Sequence, residues 1–149
     1  FGLISANQLP EHGADPDVQD DDGLTPLHLA CFNGTYLNIS FLLNKNANFK
    51  LKTKDGINPL HYAAYNGHLA AIHLLVEKEA PVNCMDDRNV TPLHYAAACN
   101  HWEVIRYLLF KGADTDFMNK DGNYFFFFFF FFFFSLFISP LSFPRHLIT

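Results

Sequence analysis

One hexapeptide recurs through this chain with fixed spacing, and few folds satisfy that constraint. Thr25-Pro26-Leu27-His28-Leu29-Ala30 returns as Asn58-Pro59-Leu60-His61-Tyr62-Ala63 and again as Thr91-Pro92-Leu93-His94-Tyr95-Ala96, 33 residues apart each time. Other landmarks keep the same step. Gly34, Gly67 and Asn100 are in phase, as are Ile39, Ile72 and Ile105, and Leu42, Leu75 and Leu108. Gly13, Asn46, Glu79 and Gly112 share one position, and Ala14, Ala47, Ala80 and Ala113 share the next. A fixed period of this length is the mark of a stacked-repeat architecture.

The chemistry of one unit is legible locally. Thr25 suits an N-cap, and Pro26 suits the first helical position, where its missing N–H costs nothing. Leu27, Ala30 and Cys31 are spaced i, i+3, i+4 and predict one apolar stripe. Gly34 is a stop residue able to turn left-handed. A second short helix is expected to carry Leu37, Ile39, Leu42 and Leu43. The following loop ends at Asp22-Gly23, Asp55-Gly56 or Arg88-Asn89, where Gly or Asn fits a tight turn with positive φ. Helices of about eight to ten residues are marginal alone in water. A row of such units can share a continuous core, so the pattern predicts an all-α solenoid of stacked helix-turn-helix pairs with hairpin-like loops.

These residues resemble ankyrin repeats: the TPLH motif, the 33-residue period, Gly112-Ala113-Asp114 and Asp121-Gly122 all fit. The resemblance runs over roughly residues 12 to 123. It divides the chain into the end of a truncated repeat (1–19, with the match over 12–19), three full repeats (20–52, 53–85 and 86–118), the start of another (119–123), and a tail (124–149) outside the fold. Departures are few. Asn58 stands for Thr, Asn89 and Asn100 for Gly, and Asn46 and Glu79 for Gly. Glu79 is the least comfortable if positive φ is needed there.

Composition separates the tail from the rest. Ten of the 18 Phe form one run, Phe125 to Phe134. Charge is uneven too. Glu11, Asp15, Asp17, Asp20, Asp21 and Asp22 give the first 22 residues six acids and no base, whereas ten Lys and Arg meet nine Asp and Glu from Gly23 onward. The net charge of −5, with no basic stripe, argues against nucleic acid as partner. Cys31, Cys84 and Cys99 are odd in number and lack C-x-x-C spacing, which fits neither a disulfide framework nor a zinc site. Free thiols point to a reducing compartment, the cytoplasm or alternatively the nucleus. The chain starts at Phe1, and its only Met residues are Met85 and Met118, so the sequence reads as a fragment without polar capping repeats.

Three readings compete for the tail. Phe125 to Phe143 is 19 uncharged residues, just long enough for a membrane anchor, although Pro140 and the Phe monotony count against one. It also reads as an aggregation-prone extension. The preferred reading is translated intron: Gly122-Asn123-Tyr124 fits a codon stretch containing GTAA, and serial Phe codons make a pyrimidine tract.

Most of the reactive side chains have structural roles that fit them better than chemical ones. His28, His61 and His94 form a column with no constant carboxylate or Cys beside it, and the ankyrin resemblance implies that this His bonds to the loops between units. His94, Cys99 and His101 lack an orienting group and an oxyanion site. The run Asp15 to Gly23 breaks calcium-loop spacing at Val18 and Gln19. Its negative face would instead steer a basic partner. The sequons at Asn33, Asn38 and Asn89 fall on helix, turn and cap positions and are expected to be unused. Asn83, after Val82 and eight residues past Leu75, resembles a target of asparaginyl hydroxylase.

The ankyrin resemblance implies protein binding through loop tips and the concave first-helix face. The loop tips are Asp21, Asp22 and Leu24, then Lys54, Asp55 and Ile57, then Asp87, Arg88 and Val90. The helix side carries Phe32 and Asn33, then Tyr65 and Asn66, then Ala98 and Cys99. Phe32 and Tyr65 stand in register as candidate anchors. The chain is thus expected to be a non-catalytic adaptor or scaffold with a protein partner, no cofactor and no metal. The alternative is a regulatory or targeting segment of a larger enzyme or membrane protein.

Overall fold

The computed structural model describes residues 13–122; the expectations for residues 1–12, for Asn123 and for the 124–149 tail lie outside this span. Six helices follow one another: α1 (Pro26–Asn33), α2 (Tyr36–Asn44), α3 (Pro59–Tyr65), α4 (Leu69–Glu77), α5 (Pro92–Ala98) and α6 (Trp102–Phe110). Among the described residues there is no strand. The architecture is the all-α solenoid of helix pairs. α1, α3 and α5 pack side by side as an inner row, and α2, α4 and α6 form an outer row against them.

Each inner helix begins with the same reciprocal cap. The Thr25 hydroxyl accepts from the His28 backbone N–H at 3.3 Å, and His28 Nδ1 accepts from the Thr25 backbone N–H at 3.1 Å. Asn58 serves as well as Thr would, its Oδ1 accepting from Leu60 and His61 N–H at 3.0 and 3.2 Å. Thr91 and His94 repeat the arrangement, so a His does what Glu usually does in a capping box. Pro26, Pro59 and Pro92 occupy the first turn.

The stripe Leu27, Ala30 and Cys31 is buried, as are Leu60, Ala63 and Ala64, and Leu93, Ala96 and Ala97. Alanine at two of these three positions in the later repeats lets neighbouring inner helices pack side by side. Each buried Leu contributes roughly 1.5–3 kcal/mol relative to an exposed one. No single helix pair contains enough of them to fold alone.

The outer helices bury Ile39, Leu42 and Leu43, then Ala71, Ile72 and Leu75, then Val104, Ile105 and Leu108. Leu37 does not join them; it is 79% exposed. Residues 37 and 39 are about 200° apart around a helix, so burying Ile39, Leu42 and Leu43 turns Leu37 outward. The inner helices α3 and α5 have seven residues, one fewer than expected.

Between the two helices of a unit the chain turns left-handed at Gly34 (φ 68°), Gly67 (φ 73°) and Asn100 (φ 60°). Gly is required at the first two for a second reason. A Cβ there would lie 2.5 Å from the ring Nδ1 of His68 or of His101, each in the next repeat. After the outer helices, Asn46 (φ 60°) and Glu79 (φ 66°) take the same left-handed form, Glu79 without the permissive side chain that favours it.

Candidate functional site

The loops between units are short fingers closed by backbone bonds. Asp20 N–H donates to Leu24 C=O at 3.0 Å, Thr53 N–H to Ile57 C=O at 2.8 Å, and Asp86 N–H to Val90 C=O at 3.1 Å. Side chains at the finger base tighten them. Asp20 Oδ1 accepts from Asp22 and Leu24 N–H, and Asp86 Oδ1 from Arg88 and Val90 N–H, all at 2.8–2.9 Å. Positive φ at Gly23, Gly56 and Asn89 closes each tip. Successive fingers are laddered by one bond per step: Lys54 N–H to Asp22 C=O, Asp87 N–H to Asp55 C=O, and Lys120 N–H to Arg88 C=O, at 3.0–3.1 Å. The result is a row of tips with outward side chains on a fixed backbone.

The column of His28, His61 and His94 locks this row to the inner helices. Nδ1 of each accepts a backbone N–H, so the proton of the neutral ring sits on Nε2. Nε2–H then donates at 3.0–3.1 Å to the carbonyl of Ile57 or Val90 in the finger of the next unit, or, for His94, to that of Phe117 in the loop after α6 of its own unit. Burial pushes all three rings below the usual His range, His61 to about 4. A second column, absent from the sequence reading, ties units in the opposite direction. His68 Nε2 bonds the Phe32 carbonyl at 3.0 Å, and His101 Nε2 the Tyr65 carbonyl at 2.9 Å. Its signal was the pair Gly34 and His68 recurring 33 residues on as Gly67 and His101.

Asp21, Asp22, Lys54, Asp55, Asp87 and Arg88 are exposed at the tips, and Leu24, Ile57 and Val90 are half-buried at the finger bases. On the inner-helix face Phe32 and Tyr65 are 45% and 48% exposed. Asn33 is exposed, and half-buried Asn66 donates to its own helix at the Tyr62 carbonyl. Ala98 and Cys99 replace the aromatic row in the third unit, Ala98 exposed and Cys99 half-buried. The aromatics also pack on the next repeat. Phe32 meets Tyr62 edge-on at 5.8 Å, and Tyr65 meets Tyr95 at 6.1 Å. Anchoring and repeat packing are therefore compatible roles for the same side chains.

In the third unit a polar clamp joins finger and helix. Tyr95 OH donates to Asp86 Oδ2 at 2.8 Å, and the Arg88 guanidinium donates to Tyr95 OH at 3.1 Å. Burial works to raise the Asp86 carboxyl, yet the N–H groups of Val90 and Arg88, the Tyr95 hydroxyl and the Arg88 charge hold it below the usual range. Burial and then Asp86 push Tyr95 up to about 12.

Asn83 is a strut. Its Oδ1 accepts from Asp114 N–H at 2.8 Å, and its Nδ2 donates to the Gly112 carbonyl at 3.3 Å. Asp17 makes the matching bond to Asn48 N–H at 2.7 Å. At the junction between them the pair is Lys50 and Pro81, which supply neither acceptor nor N–H.

Little in this arrangement is chemically reactive. Among the described residues no group of three His, Cys, Asp or Glu is placed to hold a metal. Burial raises the Cys31 and Cys84 thiols, keeping them protonated. A depression of about 440 Å³ lined by Leu43, Asn46, Ala47, Asn48, Phe49 and Lys78 offers Lys78 as its one titratable side chain, and so no acid–base pair. Among the described residues no helix is long and apolar enough to cross a membrane. The Phe125–Phe143 segment lies outside them.

A family model described as ankyrin repeats in three copies matches the chain over residues 3–86 and again over residues 39–119. No curated protein matches it.

Proposed function

The chain belongs to the ankyrin repeat family, and we propose that it is a non-catalytic adaptor or scaffold gripping a partner protein with its finger tips and inner-helix face. Ankyrin repeats are generally protein–protein interaction modules. The observation that carries the reading for this chain is the aligned pair Phe32 and Tyr65. Both are nearly half exposed on a face whose backbone is fixed by two histidine columns and a finger ladder. Rigid aromatic anchors beside polar tips lose little entropy on binding. Asp21, Asp22, Leu24, Lys54, Asp55, Ile57, Asp87, Arg88 and Val90 would form the tip contacts, with Asn33 and Asn66 beside the anchors.

The same reading places the chain in the cytoplasm or nucleus, since all three thiols are free. It makes the partner a protein rather than nucleic acid, given the net charge of −5. Hydroxylation of Asn83 is a separate proposal, checked by mass spectrometry for one added oxygen; that oxygen would sit beside the strut to the next unit.

The test replaces Phe32 and Tyr65 together with Ala. Loss of the two edge contacts should cost about 1–3 kcal/mol of stability, while partner capture falls by at least about tenfold. Unchanged capture by a still-folded double variant would remove this face from the function.

A further inference from the structure

The third and first fingers are built alike but end differently. Asp20 and Asp86 stand two repeat lengths apart and make the same turn through Oδ1. The other oxygen of Asp86 is taken by Tyr95 OH, with the Arg88 guanidinium 3.6 Å away. Arg88 is itself 66% exposed, so a guanidinium can seat on this finger from the solvent side. In the first finger the counterparts of Arg88 and Tyr95 are Asp22 and Leu29. Asp20 Oδ2 receives no donor among the described residues, and an acid, Asp22, holds the repeat position that Arg88 holds in the third finger.

The second unit continues the pattern. Tyr62 takes the place of Tyr95, edge-on to His28 at 5.9 Å and to Phe32 at 5.8 Å. Its clamp is missing, because Thr53 replaces Asp86 and Asp55 replaces Arg88. After burial, the carboxylates of Asp55, Asp20 and Asp22 all act to raise the Tyr62 hydroxyl. Two ammonium groups are near in sequence. Lys52 Nζ is committed to the Met85 carbonyl at 2.9 Å, and Lys54 stands at the tip of the second finger. The first two fingers therefore pair an aromatic wall, Phe32 and Tyr62, with carboxylates whose charge reaches Tyr62 and which lack the cation supplied at the third.

We infer that the first two fingers and the Phe32–Tyr62 wall receive an arginine-bearing segment of the partner protein, its guanidinium seated among Asp20, Asp22 and Asp55 as Arg88 is seated on Asp86. This rests on the binding face proposed above and gives that face a polarity: the cationic residue enters at the N-terminal fingers. Arg suits the place better than Lys, since its planar fork can bridge two carboxylates while its face lies on an aromatic ring.

The test uses the full chain and a short fluorescent peptide with three Arg, against the same peptide with citrulline at those positions, which keeps the shape and removes the charge. The Arg peptide should bind at least about tenfold tighter, and weaken as salt rises from about 50 to about 300 mM. Asp22→Asn with Asp55→Asn should lose that preference. Asp22→Arg with Leu29→Tyr, which rebuilds the clamp of the third finger in the first, should abolish it too, while Asp121→Asn at the far end leaves it intact. Urea unfolding checks that each variant folds, and the citrulline comparison on the unaltered chain depends on no variant.

No binding of the Arg peptide, equal binding of both peptides, or equal loss on Asp121→Asn overturns the inference. Phe32→Ala with Tyr65→Ala separates the two ideas. If both peptides bind equally and both are lost in that variant, the face stands and its arginine preference falls. If bound peptide is indifferent to that variant, the face itself fails.

Discussion

The inner helices α1, α3 and α5 and the outer helices α2, α4 and α6 differ little in length, yet they are held by different means. Every inner helix has a side-chain cap, a Pro in its first turn and a His that bonds a loop carbonyl beyond its own helix pair. No outer helix has a side-chain cap bond. The outer row contributes buried Ile and Leu at one register, and leaves Tyr36, Leu37, Phe41, Trp102 and Phe110 exposed on its other faces. Directional bonds therefore set the spacing of the repeats along the inner row, and non-directional burial in the outer row fills the space behind. A binding face gains from the first kind of order, because its side chains must keep their positions.

Acid should separate the two rows most strongly. The His column is neutral in the fold, and protonation at Nδ1 would point a donor at the N–H it accepts from. Because the folded values lie below 6.5, the unfolded chain binds more protons in this window, so stability is complete above about pH 6.5 and falls as the pH drops toward 4. His61, pushed down to about 4, accounts for about 3 kcal/mol of that loss by pH 4, and His28 and His94 add in the same direction. Urea midpoints at pH 7, 5.5 and 4.5 measure it. A flat profile would mean that the column is not held neutral.

Single substitutions sharpen the contrast. His61→Ala empties a buried site and strands the Val90 carbonyl and the Asn58 N–H, at a cost of about 3 kcal/mol. His73→Ala on outer helix α4 removes an exposed ring stacked on Tyr107 at 4.0 Å, and should cost under about 1 kcal/mol. Equal shifts in unfolding midpoint would erase the distinction between the rows. One substitution is expected to give a gain. Glu79→Gly relieves a left-handed residue at the end of the α4 unit and should stabilise by about 1 kcal/mol; a loss of stability would show that the Glu79 side chain contributes something its backbone strain conceals.

Much of the inner row was readable in advance because its signals are local. A cap, a Pro, a stripe at i, i+3, i+4 and a stop residue each act within a few residues, and the 33-residue period multiplied them. Leu37 lies on α2 as expected, but apolar character alone does not say which face of a short helix is turned inward. The sequence reading passed over His68, and met His101 only as a rejected catalytic candidate. Each bonds a carbonyl in the preceding repeat, next to a glycine whose missing Cβ makes room for the ring. Neither partner is a neighbour in sequence, and only the shared period linked them.

The candidate site divides along the same line. Phe32, Tyr65 and the charged tips could be named from their register, because surface positions repeat with the fold. The clamp of Tyr95, Asp86 and Arg88, and its absence around Tyr62, could not. It depends on nine-residue separations closed by the finger turn, and on which of two chemically similar Asp positions faces an aromatic ring. Repeat period, helix stripes and turn residues are properties of a chain a few residues at a time, so the amino-acid order alone settled them. Which carboxylate is paired, which is left open, and which apolar side chain meets water depend on neighbours brought together from different units, and those were set when the units stacked.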